Sequence, residues 1–286
     1  MEINLNFTGK HAVVVGGTSG INLGIALALA RQGADTTVVS RKAENVASAT
    51  EALRRHGGKV HGVCADVRDF EAVGRALAQA HDRFGPIDVL ISGAAGNFLQ
   101  QASKMSANGF RTVVDIDLVG TFNVMRQAYD HLRKPGASIV NITAPQSTVP
   151  MRYQLHASAA KAGVDQITRA LALEWGAEGI RINAISPGPI EGTEGFRRLL
   201  AADAQQEASA RDHVPLKRFG RLDDIANLAL FLSSDFASYI SGAIIPCDGG
   251  GAIESVKPAL EAAGRQLLES PGIEGPAGAA AGKERA

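Results

Sequence analysis

Seven short apolar runs punctuate the chain, and most are separated by segments of helix length. "HAVVVGG" (11–17), "TTVVS" (36–40), "VHGVCA" (60–65), "IDVLIS" (87–92), "SIVNIT" (138–143), "RINAIS" (181–186) and "AIIPC" (243–247) all have strand length and β-branched enrichment. Segments between them, such as "INLGIALALARQG" and "EAVGRALAQAHDRFG", are amphipathic with a helical period. The runs are apolar almost continuously rather than at alternate positions, which implies burial on both faces and a parallel sheet covered by helices. The spacing therefore predicts an α/β fold, doubly wound around a seven-stranded parallel sheet. No linker interrupts the pattern before about residue 255, so residues 1–255 are expected to form a single domain. Residues 256–286 are expected to be an extension, flexible in its Gly-, Ala- and Pro-rich end from Glu269.

Composition narrows the function classes. The 286 residues carry 29 Lys and Arg against 29 Asp and Glu, a balance that gives no hint of a nucleic-acid or membrane-surface partner. At 45% hydrophobic residues the chain has enough apolar mass for a substantial core. No apolar run approaches the ~18 residues of a membrane helix. The opening "MEINLNFTGKHAVVV" lacks a secretory pattern, and "GKERA" is not a peroxisomal address. Cys64 and Cys247 lie in strand-like stretches, so a disulfide framework is not expected and a reducing cytoplasm is. No Cys/His grouping has metal-ligand spacing, and no G-x-S-x-G nucleophile elbow is present.

In doubly wound sheets, ligands bind beyond the carboxyl ends of the strands. After the first run comes "VGGTSGINLGIA" (15–26), where Gly16, Gly17 and Gly20 precede a helix. Such a turn lets backbone approach a pyrophosphate, and the helix N-terminus supplies free N–H groups and a favourable dipole. The second run ends at Ser40, followed by Arg41 and Lys42 rather than by a carboxylate. A hydroxyl beside a guanidinium suits a 2′-phosphate, so NADPH is expected rather than NADH.

The glycine pattern resembles the TGxxxGxG fingerprint of the short-chain dehydrogenase/reductase superfamily, and the resemblance extends over about residues 7–252. It implies one Rossmann-type domain. It also implies cofactor contacts at Gly16, Thr18, Ser19, Gly20 and Ile21, at Ser40, Arg41 and Lys42, at Asp66 and Val67 in "CADVRD", at Ala94, at Lys161, and at Pro187, Gly188, Ile190 and Thr193 in "PGPIEGT". Two departures stand out: Val15 replaces the threonine, and Asn22 replaces the third glycine. The Asn22 side chain is expected to crowd the helix start, with Gly24 as the nearby source of room.

The superfamily's Asn–Ser–Tyr–Lys tetrad falls on Asp117, Ala144, Ala157 and Lys161. Neither alanine can donate the proton that ketone reduction requires. Tyr153 lies eight residues before Lys161, about 12 Å along a helix axis. His156 is turned about 100° from Ala157 on a helix. Neither is expected to replace the tyrosine.

"SGAAGNFL" (92–99), "VVDIDLVGTFNV" (113–124), "HASAAKAGVDQITRALALEWG" (156–176) and "PGPIEGTEGFRRL" (187–199) resemble the 2,4-dienoyl-CoA reductase branch, closest to its peroxisomal form. That resemblance implies Asn97 at the thioester oxygen, and Asp117 and Lys161 positioning a proton-donating water. It implies acyl-CoA contacts at Arg68, Phe98, Ser106, Asn108 and Arg198, and puts the mitochondrial form's tyrosine on Gln146. It further implies a homotetramer built on helices near 104–134 and 153–175. Two alternatives stay open: another oxidoreductase on this scaffold, with water or Tyr153 as proton source, and a non-catalytic NADPH-binding protein.

Overall fold

The computed structural model describes residues 5–199 and 204–254; the expected extension, 256–286, lies outside the described residues. Seven strands, β1 (His11–Val15), β2 (Asp35–Ser40), β3 (Val60–Cys64), β4 (Val89–Ser92), β5 (Ser138–Ile142), β6 (Arg181–Pro187) and β7 (Ile244–Cys247), form one sheet in the order β3-β2-β1-β4-β5-β6-β7. Every pairing is parallel. Burial follows the sequence pattern: β1, β4 and β5 are buried at every position, whereas the edge strands β3 and β7 are partly open. β4 starts two residues later than the apolar run, because Ile87 pairs with Leu132 in a separate bridge before the strand begins. Cys64 and Cys247 end opposite edge strands and are free.

Helices cover both faces. On one side α1 (Gly20–Arg31), α2 (Ala43–Arg54) and α9 (Leu222–Ser233) bring Ile25, Leu29, Leu53, Ile225 and Leu230 against Val14, Ile91 and Val140. On the other, α3 (Phe70–Phe84) and α5 (Gly120–Ala128) bring Val73, Leu77, Val124 and Met125 against Val13, Leu90 and Ile139. The remaining helices are α4 (Ala107–Val114), α6 (Leu155–Trp175), α7 (Glu194–Leu199), α8 (Ala204–Asp212) and α10 (Gly251–Glu254). Among the described residues, no helix is long and apolar enough to cross a membrane.

Two helix boundaries differ from the sequence expectation. The 104–134 segment is not one regular helix: between α4 and α5 the chain widens into a π turn, Asp115–Val119. Thr121 Oγ1 donates to the Asp117 carbonyl at 2.7 Å, satisfying an acceptor within that irregular stretch. α6 begins at Leu155, not at 153, because Tyr153 takes a left-handed φ of +67° that no helix accommodates.

Candidate active site

The strand order reverses between β1 and β4, and the loops following β1, β4, β5 and β6 gather at that point. The β1–α1 turn builds the first half of the site. Gly16 has a φ of +78°, and a Cβ there would lie 2.9 Å from the Ala94 backbone nitrogen. Ser19 is the N-cap of α1 but makes no side-chain cap bond, and no acidic residue occupies the first turn. The helix therefore starts with unsatisfied donors and an uncompensated dipole, as a pyrophosphate site requires. Gly20 faces the Thr193 side chain, whose hydroxyl donates to the Ile190 carbonyl at 2.8 Å. The loop after β6, running from Pro187 and Gly188 to Thr193, is thus placed against the glycine turn.

At the β2 end, Thr18 Oγ1 donates to Ser40 Oγ at 3.0 Å, tying the turn to the strand tip, while Arg41 and Lys42 are exposed just beyond. Val67 is buried, and Asn123 Nδ2 holds its carbonyl at 2.9 Å. Asp66 is claimed by Arg68 in a forked ion pair with contacts of 2.6 to 3.1 Å. That hydrogen-bonded guanidinium holds the Asp66 carboxyl below its usual range. These residues fit a nicotinamide dinucleotide: a backbone cradle for phosphates, a polar strand tip with nearby cations, and a carboxylate beside a buried valine.

Asn22 departs from the expected crowding in an informative way. Its amide is buried and donates to the Gly93 carbonyl at 2.7 Å. A Cβ at Gly93 would fall 2.3 Å from Asn22 Oδ1. Room for Asn22 therefore comes from Gly93, across the sheet, and not from Gly24, which faces Leu222 of α9. Asn22, one of the two departures from the fingerprint, thus forms a close contact with Gly93.

The second half of the site is made of side chains. Asp117, in the π turn, accepts from the Gly96 backbone N–H at 2.7 Å and pairs with Lys161 Nζ at 3.2 Å. Lys161 also donates to the Ile142 carbonyl at 3.0 Å. Both charges are buried, so each depends on the other and on these backbone partners. α6 approaches the π turn closely because residue 163 is glycine: a Cβ there would lie 2.6 Å from Leu118. Its buried positions 157, 160, 161, 164, 165 and 168 form one helical stripe, which places Ala157 and Lys161 on the same face.

Asn97 Nδ2 donates to Gln154 Oε1 at 2.7 Å, and Gln146 Nε2 donates to the same oxygen at 2.9 Å. Asn97 Oδ1, Gln146 Oε1 and His156 Nε2 are buried without a partner among the described residues. His156 is fully buried, and its ring stands edge-on to Phe98 with centroids 4.3 Å apart. Burial lowers its pKa, partly opposed by the nearby Asp117 charge. Its Nδ1 accepts from the Ala157 N–H at 2.7 Å, so the neutral ring carries its proton on Nε2. Tyr153 is 52% exposed, and its carbonyl accepts from the Gln100 N–H at 2.9 Å.

The expected acyl-CoA contacts are less uniform. Phe98 borders the amide cluster, while Ser106 Oγ is occupied in capping α4, accepting from the Gly109 N–H at 3.0 Å. Asn108 is exposed on α4 and its carbonyl accepts from Thr112. Arg198 belongs to α7, but its side chain lies outside the described residues. An open, mainly apolar cleft of about 520 Å³ runs past Ser106 between Met105, Phe110, Val114 and Leu155. Gln154 and the partnering of Asn22 with Gly93 had no local sequence signal, and His156 shows its place only once α6 is folded.

The chain matches the family model described as enoyl-(acyl carrier protein) reductase over residues 15–251. It is 47% identical over 243 residues to a peroxisomal 2,4-dienoyl-CoA reductase of Rattus norvegicus, covering 84% of this chain and 83% of that protein. An Arabidopsis thaliana protein of the same name is 42% identical over 252 residues, covering 85% of this chain and 84% of its own length. Both names specify the (3E)-enoyl-CoA as product. Among solved structures, a citronellol catabolism dehydrogenase of Pseudomonas aeruginosa superposes with a TM-score of 0.77 at 35% identity, covering 88% of this chain and 98% of that one.

Proposed function

The chain belongs to the short-chain dehydrogenase/reductase superfamily and is an oxidoreductase, and from that premise we propose that it is an NADPH-dependent 2,4-dienoyl-CoA reductase yielding a 3-enoyl-CoA. One observation carries the reading. Asp117 and Lys161 form a buried pair at positions that the superfamily resemblance matches to two tetrad members, while Ala144 and Ala157 fall where a ketone reductase needs hydroxyls. A single alkoxide formed there would meet neither of the two hydroxyl donors. A conjugated thioester needs none at that point, because charge arriving at one end of the diene is delivered to the thioester oxygen at the other.

NADPH, when bound, supplies the hydride. The protein's part is to hold the acyl thioester and to stabilise its oxygen, an effect worth about 3–4 kcal/mol per well-placed donor. Asn97 is the side chain assigned to that oxygen. Asp117 and Lys161 position the water that protonates carbon, and Lys161 also holds the nicotinamide ribose. The Ser40–Arg41 tip supports a 2′-phosphate, which is the basis for preferring NADPH. The apolar cleft beside Ser106 supports an acyl chain, and the family resemblance assigns further acyl-CoA contacts to Arg68, Asn108 and Arg198. Exposed apolar side chains on α5 and α6, Phe122 and Leu173, support assembly through these helices into a homotetramer. Two free cysteines favour a reducing compartment, the cytoplasm in our reading.

The test is a nicotinamide-absorbance assay with NADPH beside NADH, offering a 2,4-dienoyl-CoA and a 3-ketoacyl-CoA. We expect NADPH oxidation with the dienoyl-CoA alone. Turnover of the ketone with none of the diene, in folded protein that binds cofactor, overturns the proposal.

A further inference from the structure

Gln154 stands immediately before α6 and is 7% exposed, whereas its neighbour Tyr153 is turned out to solvent by its left-handed backbone. Strain of that kind persists where surrounding structure enforces it, and here its consequence is a glutamine directed inward. The Gln154 carbonyl takes both the Asn97 and the Gln146 donors, at 2.7 and 2.9 Å. Its own amino group reaches only a weak acceptor, Met151 Sδ at 3.9 Å. The outer oxygens of Asn97 and Gln146 are left buried and unpartnered.

The three amides have a second arrangement with the same contacts. Rotating each by 180° exchanges its nitrogen with an oxygen of similar size. Gln154 then donates one N–H to Asn97 Oδ1 and the other to Gln146 Oε1. The two outer positions become NH2 groups. Mixed states set nitrogen against nitrogen or oxygen against oxygen, so the orientation of Gln154 decides both neighbours together. Two outward oxygens would repel the negative charge that builds on a thioester, and two outward NH2 groups would bind it.

We infer that Gln154 is a positioning residue that sets Asn97 and Gln146 as a matched pair of donors, making Gln146 a second catalytic residue at the thioester oxygen. This rests on the dienoyl-CoA reading above. It adds a residue pair that the tetrad alignment does not contain, drawn from the loop after β5 and the start of α6.

Gln154→Glu separates the two arrangements because an ionised carboxylate has the same shape and only accepts. If Gln154 works as an acceptor, the variant keeps both contacts and activity. If it works as a donor, the variant forces both neighbours to donate inward. We expect kcat with a dienoyl-CoA to fall at least about 100-fold, the loss typical of one missing oxyanion donor, with the NADPH dissociation constant within about twofold of wild type. The carbonyl stretch of a bound, isotope-labelled enoyl-CoA should rise toward its value in water. Gln146→Leu should lose roughly 100-fold in kcat. Turnover of Gln154→Glu within a few-fold of wild type overturns the inference. Neutron diffraction from wild-type crystals reads the same question without turnover: deuterons on Gln154 Nε2 facing Asn97 and Gln146 support it, and deuterons on Asn97 Nδ2 facing Gln154 overturn it. Wild-type protein inactive on every dienoyl-CoA would defeat the functional reading, while the neutron map would still decide the role of Gln154.

Discussion

The two halves of this site are built from different materials. The half we assign to the cofactor is mostly backbone: positive-φ glycines and the bare N-terminus of α1, all within residues 16–22. The half we assign to the acyl thioester is mostly side chains, assembled across separations of 21 residues for Gly96–Asp117, 19 for Lys161–Ile142 and 57 for Asn97–Gln154. Backbone sites tolerate changes of side chain so long as the turn survives. That is why Val15 and Asn22 replace fingerprint residues without removing the cradle. A side-chain network is cooperative, and loss of one member leaves others buried without partners.

The largest effect should come from breaking the acyl half at its ion pair. Asp117→Ala leaves Lys161 buried without its carboxylate partner and the Gly96 N–H without its acceptor; we expect a loss of about 3–5 kcal/mol in urea unfolding and more than about 100-fold in dienoyl-CoA turnover. A variant that keeps near-normal turnover would remove Asp117 from the chemistry. Next, Gly93→Ala drives a methyl into Asn22 and should cost about 1–3 kcal/mol, weakening NADPH binding in a fluorescence titration. Adding Asn22→Gly should restore much of that loss, and purely additive effects would show that the two positions are not coupled.

Arg41→Ala tests whether the cofactor half has any side-chain dependence. Loss of a charge-assisted contact worth about 1.5–3 kcal/mol should raise the KM for NADPH roughly tenfold or more and leave that for NADH unchanged. Equal effects on both cofactors would contradict the 2′-phosphate assignment.

Acid should weaken the fold through its buried and partly buried histidines. His11, His61, His131 and His156 are each held below the ordinary value of 6.5, first by burial. In that window the unfolded chain binds more protons than the folded one, so stability present above 6.5 is lost as pH falls through the lowered values. Melting temperature should therefore drop on acidification, and His156→Gln should shallow the slope. A flat profile would contradict these burials. The smallest effect is expected at Tyr153→Phe, within about 0.5 kcal/mol and with turnover near wild type. Its loss of activity would shift the proton source to Tyr153 and revive the competing oxidoreductase reading.

The local halves of the problem were legible. Apolar runs predicted all seven strands because burial on both faces leaves its mark residue by residue. The glycine turn at Gly16 and Gly20 and the polar strand tip at Ser40 and Arg41 were legible because each is built from neighbours in sequence. Ala157 could be read as a missing donor because helical spacing fixes its relation to Lys161, whereas Ala144, in the loop after β5, was placed by the family resemblance. The π turn at Asp117 and the late start of α6 were not legible, because both are backbone irregularities imposed by packing.

The sequence by itself determined the seven-stranded parallel sheet and its doubly wound class, both consequences of periodicity. Only the tertiary structure decided that Asn22 fills the space over Gly93, that His156 is buried beside Phe98, and that one glutamine links Asn97 to Gln146. Those relations join residues far apart in the chain, and a hydrogen bond between distant side chains leaves no periodic trace in either segment that supplies it.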